Sequence, residues 1–488
     1  MKRVINLFLA TVAFTFSTTL FAENITTKEL LQTLCEGKVV SQEDCDRLSN
    51  VQEQERLEQR AERRKAAAQQ AEVEAKNENA VFGKLKDGGI SFGTEDGNFT
   101  VTPMGRVQLD YRNFGGDAKA ATADTFDIRR AFLGLEGKFY KYYTWAIVGD
   151  FGSSGANILD EAYLNINWWT PLQIRVGQFK VPFSLEERTS DLYLDFMERS
   201  MGNAIVPNKE RGIMLHGVPY AGTTYALGLT TGQGKNGIET SNAVDSNDIT
   251  AVGTVNFAEI FSMKDMILHL GLGYSQGTQP IGTAISGRTE ARGITFFSPS
   301  AFTGTELDRT RTALEAAVAY GPFKFQGEMM QINYSGTSSL GLAYDKSITS
   351  QYLEAMWMIT GENYASSYKD GKFGRINPKR NFDWKTLSGG AWEVGIRYSQ
   401  FNAGDFDYTT ALNAGSGTIP KPTTTSASTT NATAITLGAK FILNPRTRLM
   451  FNYVDTKFDS PVIVTQAGSK PAKTNSEKTF MLRFQYDF

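Results

Sequence analysis

Reactive side chains are scarce in this chain of 488 residues. His216 and His269 are its only histidines, and neither stands in a Ser/Asp constellation, so the chain offers little for His-based zinc, iron or triad chemistry. No metal, no cofactor and no enzymatic activity are therefore expected. Cys35 and Cys45 are the only cysteines. They lack the C-x-x-C spacing of a redox pair, and in an exported protein they are expected to form a disulfide. The chargeable residues number 50 Lys/Arg against 52 Asp/Glu, a formal net charge of −2, which leaves no basic face for nucleic acid. What remains is placed charge, above all the arginines Arg106, Arg175, Arg311 and Arg397. Each lies in a stretch where polar and apolar residues alternate.

Those stretches are the elements that must position the charges. In the last one, Phe480, Leu482, Phe484, Tyr486 and Phe488 alternate with Thr479, Met481, Arg483, Gln485 and Asp487. The same period of two recurs at 106–112, 161–168, 172–176, 266–274, 311–320 and 392–399. Further candidates lie near 126–138, 142–151, 210–219, 222–231, 248–258, 323–334, 350–360, 433–443 and 446–457. That makes about sixteen strands of about ten residues, the pattern of an outer-membrane barrel. An Arg on the lipid face at mid-membrane costs roughly 2–4 kcal/mol, so the apolar face meets lipid and the four arginines face a wet lumen. Short connections such as Tyr320-Gly321-Pro322 and Asn444-Pro445-Arg446 are expected at the periplasmic end. Long ones at 278–309, 361–388, 403–432 and 458–477 are expected at the extracellular end. The fold class is all-β, a 16-stranded antiparallel transmembrane β-barrel over 100–488 with an N-terminal periplasmic α-helical segment.

The residues before the barrel read differently. Residues 1–22 have a cationic start at Lys2 and Arg3, an apolar run and a polar end, as in a secretory signal cleaved after Ala22. Residues 23–49 read as a helical hairpin turning at Gly37, with Cys35 and Cys45 flanking the turn. Ser41-Gln42-Glu43-Asp44 opens its second helix. Residues 50–79 contain no Gly or Pro, and Glu53–Arg56, Glu62–Lys65 and Glu72–Lys76 are spaced to support a helix. A short coiled coil, a solvated single helix and a partly disordered tether are all compatible with the thin apolar seam of Leu48, Val51, Leu57, Ala61, Ala68 and Val73. Residues 80–99 are read as a linker. Residues 23–79 carry a net charge of −4 and the signal +2, which leaves 39 basic and 39 acidic residues in the remainder.

Residues 180–199 break the alternation and mix aromatics with charges. As an ordinary extracellular loop they would expose Pro182, Phe183, Leu185, Phe196 and Met197 without reason. The stretch is expected to fold into the lumen and narrow the pore.

Several motifs in this region occur together: Gly105-Arg106-Val107-Gln108-Leu109-Asp110-Tyr111, Phe126-Asp127-Ile128-Arg129-Arg130-Ala131-Phe132-Leu133-Gly134-Leu135-Glu136-Gly137, Asp160-Glu161-Ala162-Tyr163, Val176-Gly177-Gln178-Phe179-Lys180-Val181-Pro182-Phe183, and Phe196-Met197-Glu198-Arg199. With them the chain resembles the phosphate-selective porin (porin O and P) family, over roughly 100–488 and most densely at 104–200. The resemblance implies a homotrimeric outer-membrane porin with its third loop folded inward and a central anion site. Arg106, Arg129, Arg130 and Asp160 match family positions near that site. Lys180 and Arg188 neighbour it on the loop, and Arg288 and Arg292 suggest a run of arginines drawing anions inward. Strict alternation puts Arg129 and Arg130 on opposite faces, so both reach the lumen only if a bulge or strand end lies there.

Where phosphate-specific members place lysines on the constriction loop, this chain has Glu187 and Asp191. The expected function is passive diffusion of small anions, with phosphate as the lead candidate and a broader anion preference equally open. The alternatives are a general or sugar-conducting porin and a barrel adhesin using the Thr/Ser-rich stretch at 419–434. Expected partners are small anions, outer-membrane lipid, two further copies of the chain, and the barrel assembly machinery acting through the terminal Phe488. Nucleic acid is not among them.

Overall fold

A computed structural model describes residues 41–78, 81–86, 89–116, 122–152, 158–235, 237, 247–279, 285–406, 428–464 and 472–488. The signal segment, the first helix of the hairpin and Cys35 lie outside the described residues. The chain divides into two units, Met1–Ala80 and Val81–Phe488.

The first unit contains α1, a helix of 37 residues over Gln42–Glu78. Ser41 opens it, its hydroxyl accepting from the Asp44 amide at 3.3 Å, and Glu53 pairs with Arg56 at 2.9 Å. The helix crosses 49/50 unbroken, so the second arm of the expected hairpin and the coiled-coil-like segment are one element. Nothing between Asn50 and Gln54 could stop a helix, since neither Gly nor Pro occurs there. Leu48, Val51 and Leu57 are exposed along it. Cys45 is buried and disulfide-bonded.

In the second unit, sixteen strands close into an antiparallel ring. The ring begins with β3 (Thr100–Gly115), β4 (Thr125–Phe139), β5 (Tyr143–Asp150), β6 (Leu159–Trp169), β7 (Leu172–Lys180), β8 (Lys209–Gly217), β9 (Thr223–Thr230), β10 (Asp248–Asn256) and β11 (Met266–Thr278). It continues through β14 (Leu307–Tyr320), β15 (Phe323–Thr337), β16 (Ala343–Met358), β19 (Ala391–Asn402), β20 (Asn431–Asn444), β21 (Thr447–Val464) and β22 (Ala472–Asp487). It closes where β22 pairs with β3, from Lys478↔Gly115 to Asp487↔Arg106. The outward positions are apolar and exposed, as at Leu314, Val318 and Tyr320. The inward ones are polar and buried, as at Gln108, Asp110, Arg397 and Arg483.

Three expectations need correction. The linker at 80–99 holds a hairpin of β1 (Val81–Lys86) and β2 (Gly89–Thr94), and β2 joins the free lower edge of β3 at Phe92↔Val101. Its strands are too short for a period of two to stand out. The loop expected at 458–477 shrinks to 465–471, because β21 and β22 run on past a register shift between Lys457 and Val462.

The third correction concerns the connection between β16 and β19. It was expected at the end opposite the short turns, but strand parity puts it at the turn end, with Gly321-Pro322, Pro445-Arg446 and the barrel's two termini. Within it a one-turn helix at Tyr364–Ser367 leads into a small hairpin of β17 (Tyr368–Lys369) and β18 (Lys372–Phe373), in which Asp370 and Gly371 both have positive φ, 49° and 76°. Tyr364 and Phe373 are buried, so this segment folds up into the barrel.

From the opposite end, the connection 181–208 folds in. Phe183, Leu185, Phe196 and Met197 are buried, as the break in alternation implied. Its one-turn helix α2 (Leu185–Arg188) is capped by the Ser184 hydroxyl, which accepts from the Glu187 amide at 3.1 Å. Glu328 of β15 then accepts from the Leu185 and Glu186 amides at 3.0 and 2.7 Å, a carboxylate at a helix N-terminus. The connection 279–306 also enters the lumen. It carries β12 (Gly287–Arg288) and β13 (Thr295–Phe297), with Ala291, Phe296 and Phe297 buried.

Candidate functional site

The site is built where the inward loop 181–208 meets the wall of β3, β4 and β22. Along β3, alternation turns Arg106, Gln108, Asp110 and Arg112 inward, and β22 adds Arg483 and Gln485 beside them. β4 contributes two consecutive arginines. Gln108 faces Arg130 while the next β3 residue, Leu109, faces Ile128, so Arg129 is the extra residue of a β-bulge. The bulge lets both guanidinium groups reach the loop. A second bulge does the same for acids. Val148 faces Glu161 and Gly149 faces Leu159, so Asp160 is the extra residue, and Lys209 lies within ion-pair distance of both Asp160 and Glu161.

The loop meets these arginines with carboxylates. Asp191 pairs with Arg106 and, at 2.6 Å, with Nε of Arg130. Glu198 pairs with Arg129 at 2.8 Å, Arg483 at 2.9 Å and Arg112 at 3.2 Å. Burial works against a charged Asp191, but Arg106, Arg130, Lys180 and Arg199 outweigh it and hold the carboxyl below the usual range. Arg106 also lies over the Phe132 ring at 4.0 Å, with Lys209 5.4 Å from the same ring.

Beside this network lies a cavity of about 270 Å³ lined by Arg129, Arg130, Arg199, Arg288, Arg292 and Glu198, among others. Arg288 and Arg292 come from the third inward connection. Neither makes an ion pair among the described residues. Burial lowers the Arg292 guanidinium to about 10, with Arg129, Arg288 and Arg112 pushing the same way against Glu198. It remains charged at neutral pH. Glu290 fixes the connection to the wall by accepting from Arg397 at 2.7 Å, Ser399 at 2.5 Å and Thr436 at 2.6 Å.

The sequence-derived residues thus divide. Arg106, Arg129 and Arg130 meet on the loop's carboxylates, and Arg288 and Arg292 face the same cavity as Arg129 and Arg130. Asp160 is held instead by Lys209 and, at 3.1 Å, by Lys235. Lys180 secures the root of the loop, donating to the Glu187 carbonyl at 3.0 Å. Arg188 does not join them. It pairs with Glu315, to which His269 is also bonded at 3.2 Å, and it donates to the carbonyls of Pro182 and Gly371. Arg112, Arg199 and Arg483 belong to the site although the sequence reading did not single them out. Their inward parity on the strands is the signal for Arg112 and Arg483.

Nothing in the arrangement suits covalent catalysis. His216 is bonded to Asn165 and His269 to Tyr368 and Glu315. Gly273-Tyr-Ser275-Gln-Gly277 fits the pattern of a nucleophile elbow, but it runs straight through β11, where Arg311 donates to Ser275. No cluster of metal-ligating residues occurs among the described residues. The geometry is that of a channel with fixed charges on its wall.

Comparison with known proteins agrees. Residues 101–488 match the family described as phosphate-selective porin O and P. Porin O of Pseudomonas aeruginosa is 27% identical over 432 residues, covering 82% of this chain and 91% of that one. Among solved structures, an anion-selective porin from Comamonas acidovorans has a TM-score of 0.49 at 15% identity, covering 80% of this chain and 100% of its own. The outer membrane channel DcaP of Acinetobacter baumannii has 0.48 at 13%, covering 81% and 99%. By the extent of the family match, on a closed sixteen-stranded barrel, the chain belongs to the porin O and P family of outer-membrane channels.

Proposed function

We propose that this porin carries small anions by passive diffusion, with phosphate as the lead substrate and a broad rather than strict anion preference. The observation that carries this reading is the 270 Å³ cavity, in which Arg288 and Arg292 offer unpaired guanidinium forks beside Arg129 and Arg130. Arginine forks match the oxygens of phosphate and carboxylate alike. Loop carboxylates already hold the deeper arginines, which favours release over trapping, as conduction requires.

On this reading the turn end with the barrel termini faces the periplasm, together with α1 and its Cys35–Cys45 staple. The porin works as a trimer, in which the α1 helices of the three copies would cover one another's exposed Leu48, Val51 and Leu57. Phe488, whose amide donates to the Gly105 carbonyl at 3.0 Å at the barrel seam, presents the terminal aromatic to the assembly machinery.

The test is a planar bilayer recording in a salt gradient, with phosphate titrated against chloride. An anion-directed reversal potential and inhibition of chloride current by phosphate are expected. Arg130→Ala should lower the anion/cation ratio while the oligomer persists. Cation preference in the unsubstituted protein would sink the proposal.

A further inference from the structure

The inward loop brings its own anion to the arginines. Asp191 places one carboxylate oxygen on Arg106 and the other on Nε of Arg130, 2.6 Å away. A permeating carboxylate or phosphate would use the same edge-on geometry. We propose that Asp191 is an internal counter-ion, a tethered occupant of the anion position between Arg106 and Arg130, and that it sets the porin's specificity by forcing permeating anions to compete with it. The inference rests on the anion-porin reading and adds to it the residue that weakens the site.

Three observations separate this role from mere anchoring of the loop. First, the two guanidinium groups are held without Asp191: Arg106 lies on the Phe132 ring at 4.0 Å, and Arg130 donates to the Gln108 side chain at 2.8 Å. Removing the carboxylate charge therefore leaves a built site. Second, the loop is pinned here through its backbone. Gln108 donates to the Asp191 carbonyl at 3.2 Å, and Arg448 and Gln485 donate to the Leu192 carbonyl at 2.6 and 3.1 Å. Third, Arg130 also lines the cavity, so an anion there reaches it without the loop moving. A tethered carboxylate presents a high effective concentration to its partners, and a dilute free anion displaces it poorly. Low occupancy and fast passage follow, with weak discrimination among anions.

The experiment compares the unsubstituted porin with Asp191→Asn and Asp191→Glu in planar bilayers, after oligomer mobility has confirmed folding. Asp191→Ser serves the same purpose should the amide variant not assemble. In Asp191→Asn the anion/cation permeability ratio should rise roughly threefold or more, and inorganic phosphate should inhibit chloride current at lower concentration. Asp191→Glu keeps the charge, so its ratio should stay below that of Asp191→Asn. An unchanged or lower ratio in Asp191→Asn overturns the inference. So does a larger conductance without a gain in anion preference, the sign of a loosened loop. Cation preference in the unsubstituted protein would instead count against the anion-porin reading, whereas the inference is judged on the change between variants.

Discussion

Arg188 donates through Nε to the carbonyl oxygen of Gly371, 2.9 Å away, and so ties the loop entering the barrel from one end to the segment entering from the other. Two inward segments that touch can hold each other still. Arg188→Ala should therefore give single-channel traces with larger and noisier currents. Gly371→Ala should do the same more mildly, since Gly371 has φ 76° and an added Cβ would sit 2.8 Å from the Thr254 hydroxyl. A non-glycine residue in this conformation costs about 1 kcal/mol or more. Quiet, unchanged traces in both variants would show that the contact does not limit flow.

Replacing Arg288 and Arg292 together with Ala should lower the anion/cation permeability ratio by about two- to fivefold, because these guanidinium groups line the cavity without a direct ion pair among the described residues. The heat stability of the oligomer should stay the same, since no ion pair among the described residues is lost. A stable oligomer with unchanged reversal potential would remove both residues from the conduction path.

Deleting Arg129 should leave the barrel assembled. The residue is the extra member of a bulge, so its loss restores plain pairing between β3 and β4 without turning the rest of β4 inside out. Glu198 would keep Arg112 and Arg483 as partners. The expected result is a normal folded yield with reduced anion preference. Failure to assemble would mean that the bulge is needed for closure of the wall.

Asp191 and Glu198 should both stay ionised as the pH falls from 7 to 5. Burial opposes their charge, but the surrounding arginines hold both carboxyls below their ordinary values. A depressed carboxylate pKa stabilises the fold above the unfolded value, and that contribution fades only as pH drops toward the folded one. The unfolded reference for Asp191 is 3.8, so the tether is complete throughout that window. The difference in anion/cation ratio between the unsubstituted porin and Asp191→Asn should therefore be the same at pH 7 and pH 5. A difference that closes as the pH falls would show that Asp191 titrates in that window.

Much of this was legible in the residues. Period-two alternation marks seven of the barrel strands, and the nine further candidates fall on the other nine, because a wall between lipid and water imposes opposite chemistry on its two faces. The buried loop was visible as aromatics such as Phe183 and Phe196 in a stretch that does not alternate. The partners of the arginines were not visible. Asp191 and Arg106 are 85 residues apart, and Glu290 and Arg397 are 107 apart, so only the closed ring brings them together. The segment holding Tyr364 and Phe373 lies at the turn end although its connection is long, because strand parity and not loop length decides the end. Arg188 looked like its neighbours in sequence, but the one-turn helix α2 points it away from them, toward Glu315.

The two bulges carry a lesson for how such channels diversify. Each puts adjacent charged residues, Arg129 with Arg130 and Asp160 with Glu161, on the lumen at one level of the wall. An ordinary strand can change what stands at a given height only by exchanging one side chain for another. A wall that tolerates an extra residue can gain or shed a charge by insertion or deletion, with every neighbouring position left as it was. Permeation properties can then drift through small changes in chain length, a kind of variation that column-by-column comparison of substitutions would overlook.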